Sequence, residues 1–210
     1  MVFLEKERGD FMNILKKLSA LIAGLALMFG LVNAGQSRDV ETKKALIVYF
    51  SHTGNTKLIA EKAKKELIDM NYQVDLQRIE PHKAYPEYGD ELRDLAKKES
   101  EDDNCRPEFK AIEVDLQSYD LILIGTPVWW YKAPKVILSF LEQQNFSGEN
   151  VRFFITHAGG PGACLSDMKE ACKGAKFGEH IDIYCNSPGN GKVDDSEVAP
   201  WIEKIKNKKE

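Results

Sequence analysis

Residues 45–56 read ALIVYFSHTGNT, six apolar or aromatic residues followed at once by a small polar cluster. An unbroken apolar run of that length, ended by polar turn residues and followed by an amphipathic segment, predicts a buried parallel strand that feeds a loop and then a helix. The loop offers Ser51, His52, Thr53, Gly54, Asn55 and Thr56, with hydroxyls and backbone N–H groups at a helix start and no Lys or Arg. That composition suits a phosphate met by neutral donors and by the partial positive charge of a helix N-terminus. It lacks the spacing and the lysine of a Walker A loop. An ordinary capped strand-to-helix turn uses the same residue types, so the loop alone leaves both readings open.

Downstream the chain alternates in the same way. Apolar residues at Leu58, Ile59, Ala63, Leu67 and Ile68 have helical spacing, and residues 72–79 alternate as a strand. Residues 80–118 turn rich in Pro, Tyr and charge around a predicted helix at 88–102, the longest irregular connection and therefore a candidate functional region. Further strands are predicted at 119–125, 151–156 and 180–184, with helices at 135–144, 163–172 and 194–206. Five strands alternating with five helices imply right-handed crossovers and a three-layer α/β sandwich around a five-stranded parallel sheet.

The chain has 210 residues, of which 43% are hydrophobic, enough for the core of one ordinary domain. A net charge of −4 with basic and acidic residues interleaved gives no footprint for nucleic acid. Residues 1–34 are expected to be a secretory signal. The pair Lys16-Lys17 precedes an apolar stretch from Leu18 to Val32, and Val32-Asn33-Ala34 has the small or apolar residues a signal peptidase reads. The acidic residues Glu5, Glu7 and Asp10 before it suggest a translation start at Met12. That stretch is short against the roughly 20 residues that span a bilayer, so no membrane span is expected after cleavage. Residues 35–43 read as a linker and 44–207 as the domain, which places the protein outside the cytoplasm, periplasmic or secreted. Its four cysteines show no metal-ligand spacing, and no metal site is expected.

In such a sheet, ligands bind at the carboxyl ends of the strands. Three loops belong there: SHTGNT at 51–56, TPVWWYKAP at 126–134 and HAGGPG at 157–162. The second puts Trp129 and Trp130 where a chain normally turns polar, which suits stacking on a flat ligand, although one of the two is expected to fill the core. The third allows close backbone approach at Gly159 and Gly160. It does not fit the dinucleotide fingerprint.

Taken together the three loops resemble the flavodoxin family. The family's [ST]-x-T-G-x-T signature is matched by Ser51 to Thr56. A bacterial subgroup is resembled further by the extension through Lys57, by Tyr85-Pro86 with Tyr88, by Arg106-Pro107-Glu108, by Ile124 to Pro134 and by Gly159 to Gly162. The resemblance covers about residues 44–206 and implies an FMN-binding sheet of strand order 2-1-3-4-5. It further implies phosphate contacts from Ser51, Thr53, Gly54, Asn55 and Thr56, and a ring site lined by Thr126, Pro127, Val128 and Trp129. His52 stands at the variable position of the phosphate loop. Trp130, His157, Gly159 and Gly160 complete the candidate cofactor site.

The loop after the fourth strand contains no aromatic residue, whereas the electron carriers of the family place a tyrosine there. One ring face is then expected to be open, which favours a reductase that admits a substrate. His157 is the candidate proton donor beside the ring, against a purely structural role. Arg106 is expected in a surface salt bridge more than in the site. The implied strand order brings Cys164 and Cys185 to neighbouring strand ends, as the cysteine pair with the best chance of forming a disulfide. The function expected is that of an exported FMN-dependent oxidoreductase or electron-transfer protein, acting on a redox partner or a small-molecule electron acceptor. The competing reading is a binding domain of the same fold that has lost FMN.

Overall fold

A computed structural model describes residues 42–185 and 193–207. The predicted signal segment and most of the linker lie outside the described residues. The run that opens the domain is strand β1, Lys44–Tyr49, and it is buried on both faces. Its alternation divides the core. Leu46, Val48 and Phe50 face one hydrophobic cluster, while Ala45, Ile47 and Tyr49 face the other. A strand covered on both sides has to be apolar at every position, which explains the unbroken run.

Strands β2 (Gln73–Arg78), β3 (Leu121–Pro127) and β4 (Asn150–His157) run parallel to β1. The edge beyond β4 is made by two short segments, β5 (Lys176–Phe177) and β6 (Ile181–Tyr184), giving the order 2-1-3-4-5 with the fifth position shared. In the register, Asn150 and Val151 of β4 face β5, and residues 154–157 face β6, so this is one edge strand interrupted at residues 178–180. Arg152 fills the gap. A Cβ on Gly178 would stand 2.1 Å from the Arg152 Nε. The sequence revealed only the second half, because two exposed residues leave no period to read.

Helices α1 (Asn55–Asp69) and α5 (Val198–Asn207) cover one face of the sheet through Ile59, Ala63, Leu67, Val198, Trp201 and Ile202. Helices α3 (Lys135–Leu141) and α4 (Cys164–Ala171) cover the other through Val136, Ile137, Phe140, Cys164 and Met168. The three layers of a flavodoxin-like α/β fold are thus in place. Among the described residues no helix is long and apolar enough to cross a membrane.

Helix α2, Asp90–Glu101, lies in the long connection between β2 and β3. That excursion is closed at its neck. Lys110 N–H donates to Glu80 O at 2.8 Å and His82 N–H to Glu108 O at 2.9 Å, around an antiparallel bridge between Pro81 and Phe109. A segment that composition alone marks as irregular is therefore anchored at both ends, and it brings α2 to the carboxyl edge of the sheet.

Candidate functional site

The loops after β1, β3 and β4 meet at that edge, and α2 supplies a further wall. Between them lies a cleft of about 330 Å³, lined by Thr53, Asn55, Leu92, Arg93, Ala96, Pro127 to Tyr131, Thr156 to Gly160, Tyr88 and Cys185. A volume of this order is typical of small-molecule sites.

On the β1 side, α1 begins at Gly54, whose φ of 98° lies in the left-handed region and whose position gives no side-chain cap. Nothing stands within 4 Å of where a Cβ would sit at Gly54, so glycine is required there for conformation and not for space. A helix start has N–H groups without intrahelical acceptors. Ser51 Oγ takes the N–H of Lys57 at 3.2 Å, deep in the first turn. Thr53 and Asn55 line the cleft beside this helix start, one of whose N–H groups Ser51 already takes. That is the geometry of an anion site more than of a self-capped turn. A cation stands behind it: Arg78, at the end of β2, donates from Nη2 to Ser51 O at 2.9 Å.

Not every predicted residue of this loop faces the cleft. The Thr56 hydroxyl is buried and shares a 2.8 Å hydrogen bond with Thr156 Oγ1, tying α1 to β4. Ser51, His52 and Gly54 likewise do not line the cleft. His52 is half-buried, edge-on to Tyr85 at 6.3 Å and to Trp129 at 6.1 Å. Burial holds its pKa below the ordinary imidazole value, with Arg78 acting in the same direction and a hydrogen bond to the Pro86 carbonyl opposing it. Thr126 is fully buried, and its hydroxyl donates to Pro127 O at 3.2 Å. Ser51, His52, Thr56 and Thr126 support the cleft from behind, because each side chain is already engaged in the fold.

The two tryptophans have separate roles. Trp129 is half-buried in an aromatic cluster, with ring centroids 4.9 Å from Tyr85 and 5.3 Å from Phe50 in edge-on contacts. The cluster is tied to α2. Tyr85 donates to Glu99 Oε2 at 2.9 Å, and burial raises the pKa of both groups, with the nearby Lys135 opposing the rise at Glu99. Trp130 is 46% exposed and its Nε1 donates to Arg93 O at 2.8 Å, with Lys97 Nζ 5.5 Å from the ring centre. Trp130 and Tyr131 form the tip of a two-residue hairpin, closed by reciprocal 3.0 Å hydrogen bonds between Trp129 and Lys132. Both tip residues have positive φ, 48° and 60°. Asn-Gly is the usual solution to such a turn, and a left-handed conformation at a larger residue costs on the order of 1–2 kcal/mol.

On the β4 side, His157 is half-buried in the cleft wall, and its Nδ1 accepts the N–H of Gly160 at 3.1 Å. In the neutral ring the proton is therefore on Nε2. Gly159 and Gly160 line the cleft. The fourth loop has no aromatic side chain of its own, yet its face is not bare. Tyr131 reaches across from the hairpin tip, its hydroxyl 3.6 Å from where a Gly159 Cβ would stand. Its carbonyl accepts the N–H of Ala163 at 2.7 Å. This approach requires Gly162, at φ 54°, since a Cβ there would lie 2.2 Å from that carbonyl oxygen.

Sequence reasoning did not reach Tyr131, Tyr88, Leu92, Arg93, Ala96 or Cys185 as cleft residues. Leu92 and Ala96, four apart in an otherwise charged helix, carried a readable signal of one apolar face. Arg106 is outside the cleft in a two-pronged pair with Glu142, at 2.6 and 2.7 Å, which is the surface salt bridge expected. The Cys164–Cys185 bridge is absent: all four cysteines are free thiols. Cys164 belongs to the core cluster on one face of the sheet and Cys185 to the cluster on the other, so neighbouring strand ends do not bring the sulfurs together.

The flavodoxin family profile matches residues 44–205, and the chain belongs to that family. Among solved structures it is similar to a flavoprotein from Lactobacillus acidophilus NCFM in complex with FMN, at 30% identity and a TM-score of 0.59, covering 76% of this chain and 98% of that one. A protein from Bacteroides eggerthii DSM 20697, provisionally described as a flavoprotein, is 28% identical with a TM-score of 0.63, covering 79% and 99%. Oxidised flavodoxin 2 from Bacillus cereus shares the fold at 21% identity and a TM-score of 0.54, covering 79% and 99%. No curated protein gives a significant match.

Proposed function

We propose that this chain is an exported FMN-binding redox protein that passes electrons to a partner protein or a small-molecule acceptor. The observation that carries the reading is the cleft itself. A helix start with Thr53 and Asn55 stands at one side, and a wall of Pro127, Val128 and Trp129 stands beside it. A flat ring with a phosphate tail fits that donor set, and the Lactobacillus relative was solved with FMN. Export is supported by the basic pair and apolar run of residues 16–32.

In this reading the N–H groups at the start of α1 and the Thr53 hydroxyl hold the phosphate, with Arg78 behind the loop offsetting its charge. Pro127, Val128 and Trp129 exclude water from the ring, and Gly159 and Gly160 let the backbone approach it closely. FMN, when bound, supplies one-electron or two-electron transfer. His157 holds its proton at Nε2, where it is available to a substrate in the cleft, while Nδ1 keeps the glycine loop in shape. The purified chain loaded with FMN is expected to lose its flavin absorption on chemical reduction and recover it in air while the flavin stays bound. Release of the flavin on reduction would contradict a redox role.

A further inference from the structure

A second cavity, of about 800 Å³, lies between helices α3 and α4 and the loop that follows α2, and it shares no lining residue with the cleft. Lys135, the first residue of α3, lines it. Its side chain is only 6% exposed, and among the described residues its ion pair is with Asp103 at 3.8 Å, beyond hydrogen-bond reach. Asp103 is 91% exposed, so its carboxylate stays in water, and a pair of that kind contributes little. An ammonium carries three donors, and a buried charge is costly unless it is both paired and hydrogen-bonded. Replacing a weakly held buried charge by an apolar side chain is often neutral or stabilising, so stability gives no reason for a lysine here.

The other charges of the cavity decide what Lys135 can hold. Arg106 and Glu142 satisfy each other in their two-pronged pair. Asp167 accepts the N–H of Ala133 at 3.0 Å, and Glu170 is exposed to water. Lys132, half-buried, donates from Nζ to the Ser100 carbonyl at 3.0 Å, a neutral acceptor that leaves its charge uncompensated. Two ammonium groups with donors to spare therefore line one cavity whose carboxylates are engaged or solvated. From this we infer that the cavity is a second binding site, for a small oxyanion (a carboxylate or a phosphate) held by Lys135 and Lys132. The inference does not rest on FMN, because neither lysine lines the cleft.

The test uses the full chain with excess FMN filling the cleft, and reads the thermal midpoint as inorganic phosphate or succinate is added at constant ionic strength. An anion that binds the folded state raises the midpoint, and the parent's should rise with at least one of the two. Lys135→Met should need at least about tenfold more anion for the same rise, the worth of a hydrogen bond to a charged group. Lys132→Met should shift in the same direction. Lys65→Met, at an exposed lysine of α1, should respond like the parent. Without added anion, Lys135→Met should melt at or above the parent's midpoint. A parent unmoved by both anions would overturn the inference, and so would an equal rise in Lys135→Met. A response lost as fully in Lys65→Met would also overturn it, by showing only diffuse attraction. So would an anion-free Lys135→Met midpoint well below the parent's, because the pair with Asp103 would then already satisfy the ammonium. Failure of the chain to bind FMN would contradict the reading of the cleft and leave the dependence on Lys135 to decide this one.

Discussion

Two threonines in one loop illustrate how the same residue type divides between binding and stability. Thr53 lines the cleft, whereas Thr56 is buried and hydrogen-bonded to Thr156. Thr53→Ala should lower FMN affinity about tenfold or more, the worth of one hydrogen bond to a charged group, and leave the thermal midpoint unchanged. Thr56→Ala should instead cost about 1–3 kcal/mol of stability by leaving the buried Thr156 hydroxyl without its partner. Ligand titration beside calorimetry on both variants checks the division, and the reverse pattern would refute it. Residue types and spacing made the loop legible, because a helix start with small donors is a local property. Which hydroxyl faces the cleft depends on β4, about 100 residues away, and no local pattern reports it. Tyr131 was hidden for a related reason, since the backbone sign that aims its ring is set by the hairpin closure between Trp129 and Lys132.

Elements carry the next level of the account. The strands were readable wherever burial on both faces enforces apolar runs, as in β1, β3 and β4. The broken edge was not, because two exposed residues of β5 obey no such rule. The sheet also decides the cysteine chemistry. Cys164 and Cys172 belong to the cluster on one face and Cys185 to the cluster on the other. Burial pushes the Cys172 thiol up to about 12 and raises that of Cys164 still further, so neither is a ready nucleophile. Cys105, outside both clusters and half-buried, is the accessible one. Burial raises the Cys105 thiol's pKa too, so alkylation of the native protein should label Cys105 first but more slowly than a free thiol. Cys164 and Cys172 should react only on unfolding. Non-reduced peptide mapping that recovers a Cys164–Cys185 bridge would contradict this placement of the elements.

For the whole molecule, the alternation of strands and helices, the three layers and three of the four cleft walls were legible from patterns within a few residues, whereas the strand order was implied by the family resemblance. The α2 wall was less visible, since a charged helix in an irregular connection gives little sign that its Leu92 and Ala96 close a ligand site. The central claim is that this cleft takes a flat ring and a phosphate together. It is tested most directly by equilibrium titration of the purified, flavin-free chain with FMN and, separately, with riboflavin, which has the same ring and no phosphate. The account predicts one FMN bound per chain and riboflavin at least about tenfold weaker, from the loss of charge-assisted hydrogen bonds at the start of α1. No binding of FMN, or equal affinity for the two flavins, would contradict it.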